Sequence, residues 1–267
     1  MTNNSLAFCF LTRGSHNQEK LWLNFLKQAP PNSYNIYCHN KNAFKDSDNF
    51  LSKHEIPDKI PTEWGRISLV RATLLLFKEA FKNTDNKFFL LVSESCVPLW
   101  NFNFIKDRIF EYDNNLIYES VNWRPNSGDW NEAHRWQKIN HHIKNLRDFK
   151  KSSQWLCLDR STVEFILEND ETEHFRNVWA VDEHYFLTMI NKHRINYLRY
   201  PFTFSDWRHQ RNIDCEANSH PKEFNSLTRR DVATCSNSFF MRKISASCHI
   251  EEAVQNLILY RTSLQQF

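Results

Sequence analysis

The chain has 267 residues, 41% hydrophobic and 24% charged, which suffices for one sizeable core and is ordinary for a folded soluble protein. Its formal charge of +3 comes from dispersed basic residues and makes no case for nucleic acid, while three glycines leave no phosphate loop of the GxGxxG or GxxxxGK type. No apolar stretch approaches the roughly 20 residues that span a bilayer, and the amino-terminal apolar run is too short for a signal peptide.

In chain order, residues 6–11 read as a strand and 18–27 as a helix with Leu21, Trp22, Phe25 and Leu26 on one stripe. A short strand over 35–38 ends in the polar His39-Asn40, and a strong helix over 68–81 follows Glu63-Trp64-Gly65-Arg66. Residues 88–92, Phe-Phe-Leu-Leu-Val, are apolar throughout, as a central strand covered on both faces must be. That strand runs into Ser93-Glu94-Ser95, at the carboxyl end where open α/β sheets bind ligands. A helix over 103–110 and a strand over 116–118 come next. The polar stretch 112–151, rich in Trp, Arg and His, reads as an insertion over the site and not as core. A strand over 154–158 leads to a helix over 161–168; residues 181–189 open with Asp-Glu and continue with apolar spacing; 197–207 look extended. A basic loop, a strand over 238–241 and a closing helix over 251–260 complete the chain. Strands alternating with helices predict an α/β fold with a mixed sheet, and the lack of any linker or repeat predicts one domain.

Seven cysteines, odd in number and without a CxxC pair, predict buried free thiols in a reducing compartment. An aromatic fraction of 15% suits a sugar-binding surface and a dense core alike.

Several segments, in order and spanning nearly the whole chain, resemble the core-2/I-branching β-1,6-N-acetylglucosaminyltransferases and the protein xylosyltransferases of glycosyltransferase family 14. They are AFCFLTRG (7–14), IYCHNKN (36–42), EWGRISLV (63–70), FFLLVSESCVPLWNF (88–102), SSQWLCLDR (152–160), AVDEHYFLTMI (180–190), FTFSDW (202–207) and FFMRK (239–243). FLLVSESCVPL and VDEHYF are the most specific. The resemblance implies a single-domain GT-A-like fold, with a nucleotide-sugar part over about 1–110 and an acceptor and catalytic part over about 111–267. It implies an inverting transfer of xylose or GlcNAc from a UDP-sugar to a hydroxyl of an oligosaccharide or glycoprotein glycan. A non-catalytic carbohydrate- or nucleotide-binding relative of the same fold is the alternative. The family's Golgi anchor and stem have no counterpart here, so the expected protein is soluble and cytoplasmic, in a bacterium or a virus-infected host cell.

The resemblance also assigns roles. Glu183 matches the catalytic base, a carboxylate that takes the proton of the attacking hydroxyl; without the resemblance, acids at a helix start need no catalytic reason. Asp182 beside it is a cap or an acceptor contact. Arg229, Arg230 and Lys243 match the cations that neutralise the leaving diphosphate without a metal, with Arg230 favoured of the two arginines. Thr12, Arg13, His39, Trp64, Arg66, Ser93, Glu94 and Ser95 fall where the donor nucleotide is held. Glu119, Arg135, Trp155 and Trp207 fall on the acceptor side, where aromatic faces and carboxylates suit sugars. Ser93-Glu94-Ser95 occupies the place of an Asp-x-Asp metal motif, and a single carboxylate makes a poor Mg²⁺ or Mn²⁺ site, so no divalent cofactor is expected.

Overall fold

The computed structural model describes residues 4–44, 49–120, 130–207 and 220–262, with backbone alone for 130–133. Cys215 and the basic loop around it lie outside the described residues.

Strands β1 (Ser5–Thr12), β2 (Tyr34–Asn40) and β3 (Asn86–Val92) run parallel, with β1 in the middle. β6 (Cys157–Asp159) pairs antiparallel with β3 and with β5 (Asn115–Ile117), and β5 pairs parallel with β7 (Tyr197–Arg199). The resulting six-stranded mixed sheet has the order β2-β1-β3-β6-β5-β7. Strands from residues 5–92 and from residues 115–199 therefore build one sheet, and this is a GT-A-like α/β fold. The apolar run of β3 has its predicted cause: Phe88, Leu90 and Val92 enter one core and Phe89 and Leu91 the other. β1 divides in the same way, Leu6, Phe8 and Phe10 against Ala7, Cys9 and Leu11.

Helices α1 (Glu19–Leu26), α2 (Ile67–Phe81), α3 (Phe102–Tyr112) and α5 (Arg160–Glu168) form within a residue or two of their expected positions, whereas α6 (Tyr185–Lys192) starts four residues after the expected 181, because Val181–Glu183 forms a separate 3₁₀ turn. Local chemistry sets several ends. Asn101 caps α3 by accepting from the Phe104 N–H at 2.8 Å, and Asp159 caps α5 through the Thr162 N–H at 2.7 Å. The first core is dense with aromatics in edge-to-face contact, among them Phe8–Trp22 at 5.5 Å and Phe10–Trp22 at 4.9 Å. The six described cysteines are buried free thiols, and burial alone drives the Cys9 thiol far above its usual range.

Three expectations change. The stretch 112–151 is not merely an insertion: Leu116, Ile117, Ile139, Ile143 and Phe149 are all buried in the core, and α4 (Trp130–Gln137) lies between. Leu116 enters one core and Ile117, Ile139, Ile143 and Phe149 the other, isolated apolar residues that average polarity hides. The strand expected over 154–158 begins only at Cys157, because the Trp155 N–H turns back to the Ser153 hydroxyl at 3.2 Å. The final third contains more order than its polarity announced. A small sheet joins β4 (Val97–Pro98), β10 (Phe240–Arg242) and β8 (Thr203–Ser205). A second pairs β9 (Phe224–Leu227) with β11 (Ile244–Ile250), and a short helix α7 (Arg229–Thr234) precedes the closing α8 (Glu252–Tyr260).

Candidate active site

The sheet topology decides which loops meet. β1, β2, β3 and β5 point the same way, so the residues after Thr12, Asn40, Val92 and Ile117 gather at one edge. β6 runs the opposite way and brings its amino-terminal approach, with Trp155, to that same edge. α2 connects parallel β2 and β3, so it starts there as well, with Trp64, Gly65 and Arg66 just ahead of it. α6 precedes β7, which is parallel to β5, and so the 180–184 turn before α6 is also carried to this edge.

Glu183 ends a single 3₁₀ turn, Val181–Glu183, whose first flank, Ala180, has φ +52°. A non-glycine residue in the left-handed region is a costly conformation of the kind that collects at functional sites. The turn is held from outside: Ala180 N–H donates to the Gly65 carbonyl at 2.9 Å and Ser152 N–H to the Glu183 carbonyl at 2.8 Å. The carboxylate remains about a third exposed, with Lys151 Nζ 3.7 Å away. Asp182 does not cap α6, which has no side-chain cap. Its Oδ1 is enclosed with no hydrogen-bond partner among the described residues. Burial, helped by the charge of Glu183, pushes the Asp182 carboxyl up to about 7 against the opposing pull of Arg135 and Arg242.

Arg242 is the cation that ties the cleft together, and sequence reasoning assigned it no role. Its guanidinium lies 4.6 Å from the centre of the Trp155 ring, and its Nε is enclosed without a partner among the described residues. Burial lowers its pKa, while the charges of Glu94, Asp182 and Glu183 hold it up. The only signal in the sequence was its place beside Lys243 in FFMRK. Lys243 follows at the start of β11, its carbonyl accepting from Phe224 N–H at 2.8 Å, and the next amide, of Ile244, donates to the Ser95 carbonyl at 2.9 Å.

The structure sorts the other candidates. Glu94 lies in the cleft; burial raises its pKa, opposed by the charges of Arg242 and Arg13 and by the Arg13 amide. Ser93 and Ser95 are spent on the turn itself, their hydroxyls 3.1 Å apart and Ser93 Oγ 3.2 Å from Cys96 Sγ. Thr12 is likewise committed, donating to Asn40 Oδ1 at 3.1 Å, and the buried His39 accepts the Ile60 N–H at 3.1 Å. Trp155 is 6% exposed, so it backs Arg242 and offers no open stacking face. Glu119 receives Tyr197 O–H at 2.9 Å and Lys150 Nζ at 3.3 Å, and Arg135 Nη1 lies 3.3 Å from His184 Nε2, whose Nδ1 bonds the Lys150 carbonyl at 2.7 Å. Those bonds hang Glu119 and Arg135 on the same 150–152 segment that braces Glu183. Trp207 is exposed, two residues beyond Ser205, which pairs in register with Arg242.

Arg229 and Arg230 stand elsewhere. Both are exposed on the first turn of α7, within the Thr228–Asp231 capping box. The β9–β11 register sets Leu227 against Ile250, whereas Lys243 adjoins Phe224 at the other end of that ribbon. The two arginines are thus not gathered with Lys243. An open groove between α3 and α8 is lined by Asn101, Asp107 and Tyr260 and has no cation among its lining residues, so it does not suit a diphosphate. No group of three or more His, Cys, Asp or Glu side chains among the described residues has the geometry to hold a metal ion.

Fold and cleft define a glycosyltransferase of GT-A-like architecture. A family model for core-2/I-branching enzymes matches residues 6–242, and the chain belongs to that family. It is also similar to glycosyltransferase BC10 from Oryza sativa subsp. japonica, at 26% identity over 174 residues, 63% of this chain. The match covers 42% of that relative's own length.

Proposed function

We propose that the chain transfers a single sugar, xylose or GlcNAc, from a UDP-sugar to a hydroxyl of a glycan acceptor, with inversion and without a divalent metal. One observation carries this reading: a part-exposed carboxylate, Glu183, shares a cleft with Arg242 and its neighbour Lys243. Those are the two charges that an inverting transfer needs on opposite sides of the anomeric carbon. Glu183 accepts the proton of the acceptor hydroxyl, and that oxygen bonds to C1. The C1–O bond to the β-phosphate breaks, and its electron pair leaves with the diphosphate toward Lys243 and Arg242.

These cations do the work of a metal because they are fixed and partly desolvated before the charge develops. The enclosed Glu94 supports the metal-free reading, since its charge is already balanced by Arg242 and Arg13. The acceptor sugar has Glu119 and Arg135 within its reach on the side of Lys150, and Trp207 two residues beyond Ser205, the register partner of Arg242. As a family property the activity is glycosyl transfer; donor, mechanism and metal independence are the proposal.

The test is binding and slow hydrolysis of a panel of UDP-sugars, each with and without EDTA. Selective turnover of UDP-xylose or UDP-GlcNAc that survives EDTA is the expected result. Activity lost in EDTA and restored by Mn²⁺ overturns metal independence, and binding without turnover points to a non-catalytic relative.

A further inference from the structure

Phe104 and Asn103 lie three and four residues ahead of Asp107 on α3, so these side chains share one face of that helix. With Tyr260 at the end of α8 and Gln28 just beyond α1, they line the open groove between α3 and α8. The groove holds about 450 Å³, within the roughly 300–1,000 Å³ of small-molecule sites. It is separate from the cleft. α1 starts at the cleft edge, after β1, and its eight residues carry the chain about 12 Å toward the opposite edge, where Gln28 lies. None of Glu183, Arg242 and Lys243 lines the groove.

Its walls are cross-tied. Asn101 accepts the Phe104 N–H at 2.8 Å and donates to the Arg261 carbonyl at 2.8 Å, which joins the start of α3 to the end of α8. Arg261 Nη2 donates to the Leu99 carbonyl at 2.6 Å, and its guanidinium lies 3.3 Å from the centre of the Trp100 ring. Trp100 in turn stacks on Phe104, with centres 4.1 Å apart and planes 17° from parallel. Gln28 Nε2 donates to the Leu259 carbonyl at 2.9 Å, while its Oε1 is enclosed with no hydrogen-bond partner among the described residues. An unmet acceptor of this kind in the wall of a groove calls for a donor from outside.

The lining selects a class of ligand. Among the described residues that line the groove none is a cation, and the negative charge of Asp107 turns phosphates, sulfates and carboxylates away. A purely apolar ligand would strip water from Asn103 and Asp107 and give no bond in return. Those two exposed side chains suit hydroxyls, and Tyr260, 68% exposed, offers an aromatic face to C–H bonds. Hydroxyls around a rim and C–H groups on a face are together the chemistry of a neutral sugar ring.

We infer that the α3–α8 groove is a second carbohydrate site, which holds a neutral stretch of glycan away from the reacting end. The inference rests on the family's activity, glycosyl transfer, and on neither the donor nor the base proposed above. A glycan held there raises the local concentration of its own acceptor ends at the cleft.

The experiment is calorimetric binding of xylotetraose, N-acetylchitotetraose and the fully deacetylated, cationic form of the latter. The proteins are wild type, Tyr260→Ala, Asn103→Ala and Trp207→Ala, each checked for an unchanged thermal midpoint. At least one neutral tetrasaccharide binds wild type; Tyr260→Ala weakens it about tenfold, Asn103→Ala about threefold and Trp207→Ala less than twofold. Whatever UDP-sugar hydrolysis wild type shows, Tyr260→Ala keeps it. If wild type shows none, the donor reading fails separately and the tetrasaccharides still decide. Binding that survives both Tyr260→Ala and Asn103→Ala overturns the inference, and a loss in Trp207→Ala then places the glycan in the cleft. Binding of the cationic form alone makes the groove a cation site and overturns it too, as does no binding of any tetrasaccharide.

Discussion

Arg229-Arg230 and Arg242-Lys243 are both adjacent cation pairs in the last 40 or so residues, and they end in opposite surroundings. The first pair rides the opening turn of a short, capped helix and faces water. The second closes a strand hydrogen-bonded between two others, and Arg242 is drawn over an indole into the company of three carboxylates. The same charge is worth little in the first setting, where water and salt screen it, and much in the second, where neither enters freely. A dibasic motif is thus no guide to an anion site until its dielectric surroundings are known.

The acidic turns repeat the lesson. Ser93-Glu94-Ser95 is knitted by its own hydroxyls and balanced by Arg242 and Arg13. The 180–184 turn leaves Asp182 Oδ1 without a partner among the described residues, holds Ala180 at positive φ and has Lys151 Nζ 3.7 Å from Glu183. Strain and unmet polar atoms concentrate in the second turn, as expected where chemistry is done.

The contrast can be broken at several points. The largest effect belongs to Glu183→Gln: turnover falls by about a thousandfold while UDP affinity stays within about twofold, measured by product formation and by calorimetry. Retained turnover would remove Glu183 as the base. Arg242→Ala lowers turnover by about a hundredfold, and Lys243→Ala weakens UDP more than uridine; equal losses for both ligands argue against a phosphate contact.

A smaller effect concerns stability. The Asp182 carboxyl is raised in the folded protein to about 7 from an ordinary value near 4, so the folded state binds the extra proton between those limits. Stability from this group is complete below about pH 4 and is lost as pH rises through 7. Asp182→Asn flattens that dependence and raises unfolding free energy at pH 8 by on the order of 2 kcal/mol, read from urea melts at pH 5 and pH 8. A wild-type pH slope kept by the variant assigns the proton elsewhere. Least affected are Arg229→Ala and Arg230→Ala, each changing turnover and UDP affinity by less than about threefold. A large loss in either would reverse the comparison between the two pairs.

Much of the fold was legible along the chain. The unbroken apolar run of β3, the stripe Leu21, Trp22, Phe25 and Leu26, and the long apolar spacing of α2 each carry their own period. The ordered motifs pointed to the family that the comparison then matched. Less visible were Leu116, Ile117, Ile139, Ile143 and Phe149, isolated apolar residues in polar sequence, and the ribbon of β9 and β11, held by backbone pairing with few apolar side chains to advertise it.

Within the cleft, residue types could be read and their surroundings could not. That Glu183 follows Asp182, and that Lys243 follows Arg242, is written in the order of residues. Which serines exhaust their hydroxyls on one another, which tryptophan is buried under a guanidinium and which stays open beside Gly65, depends on strands far apart in sequence meeting at one sheet edge. Burial and charge neighbours are properties of that meeting, and they set what each of these side chains can do.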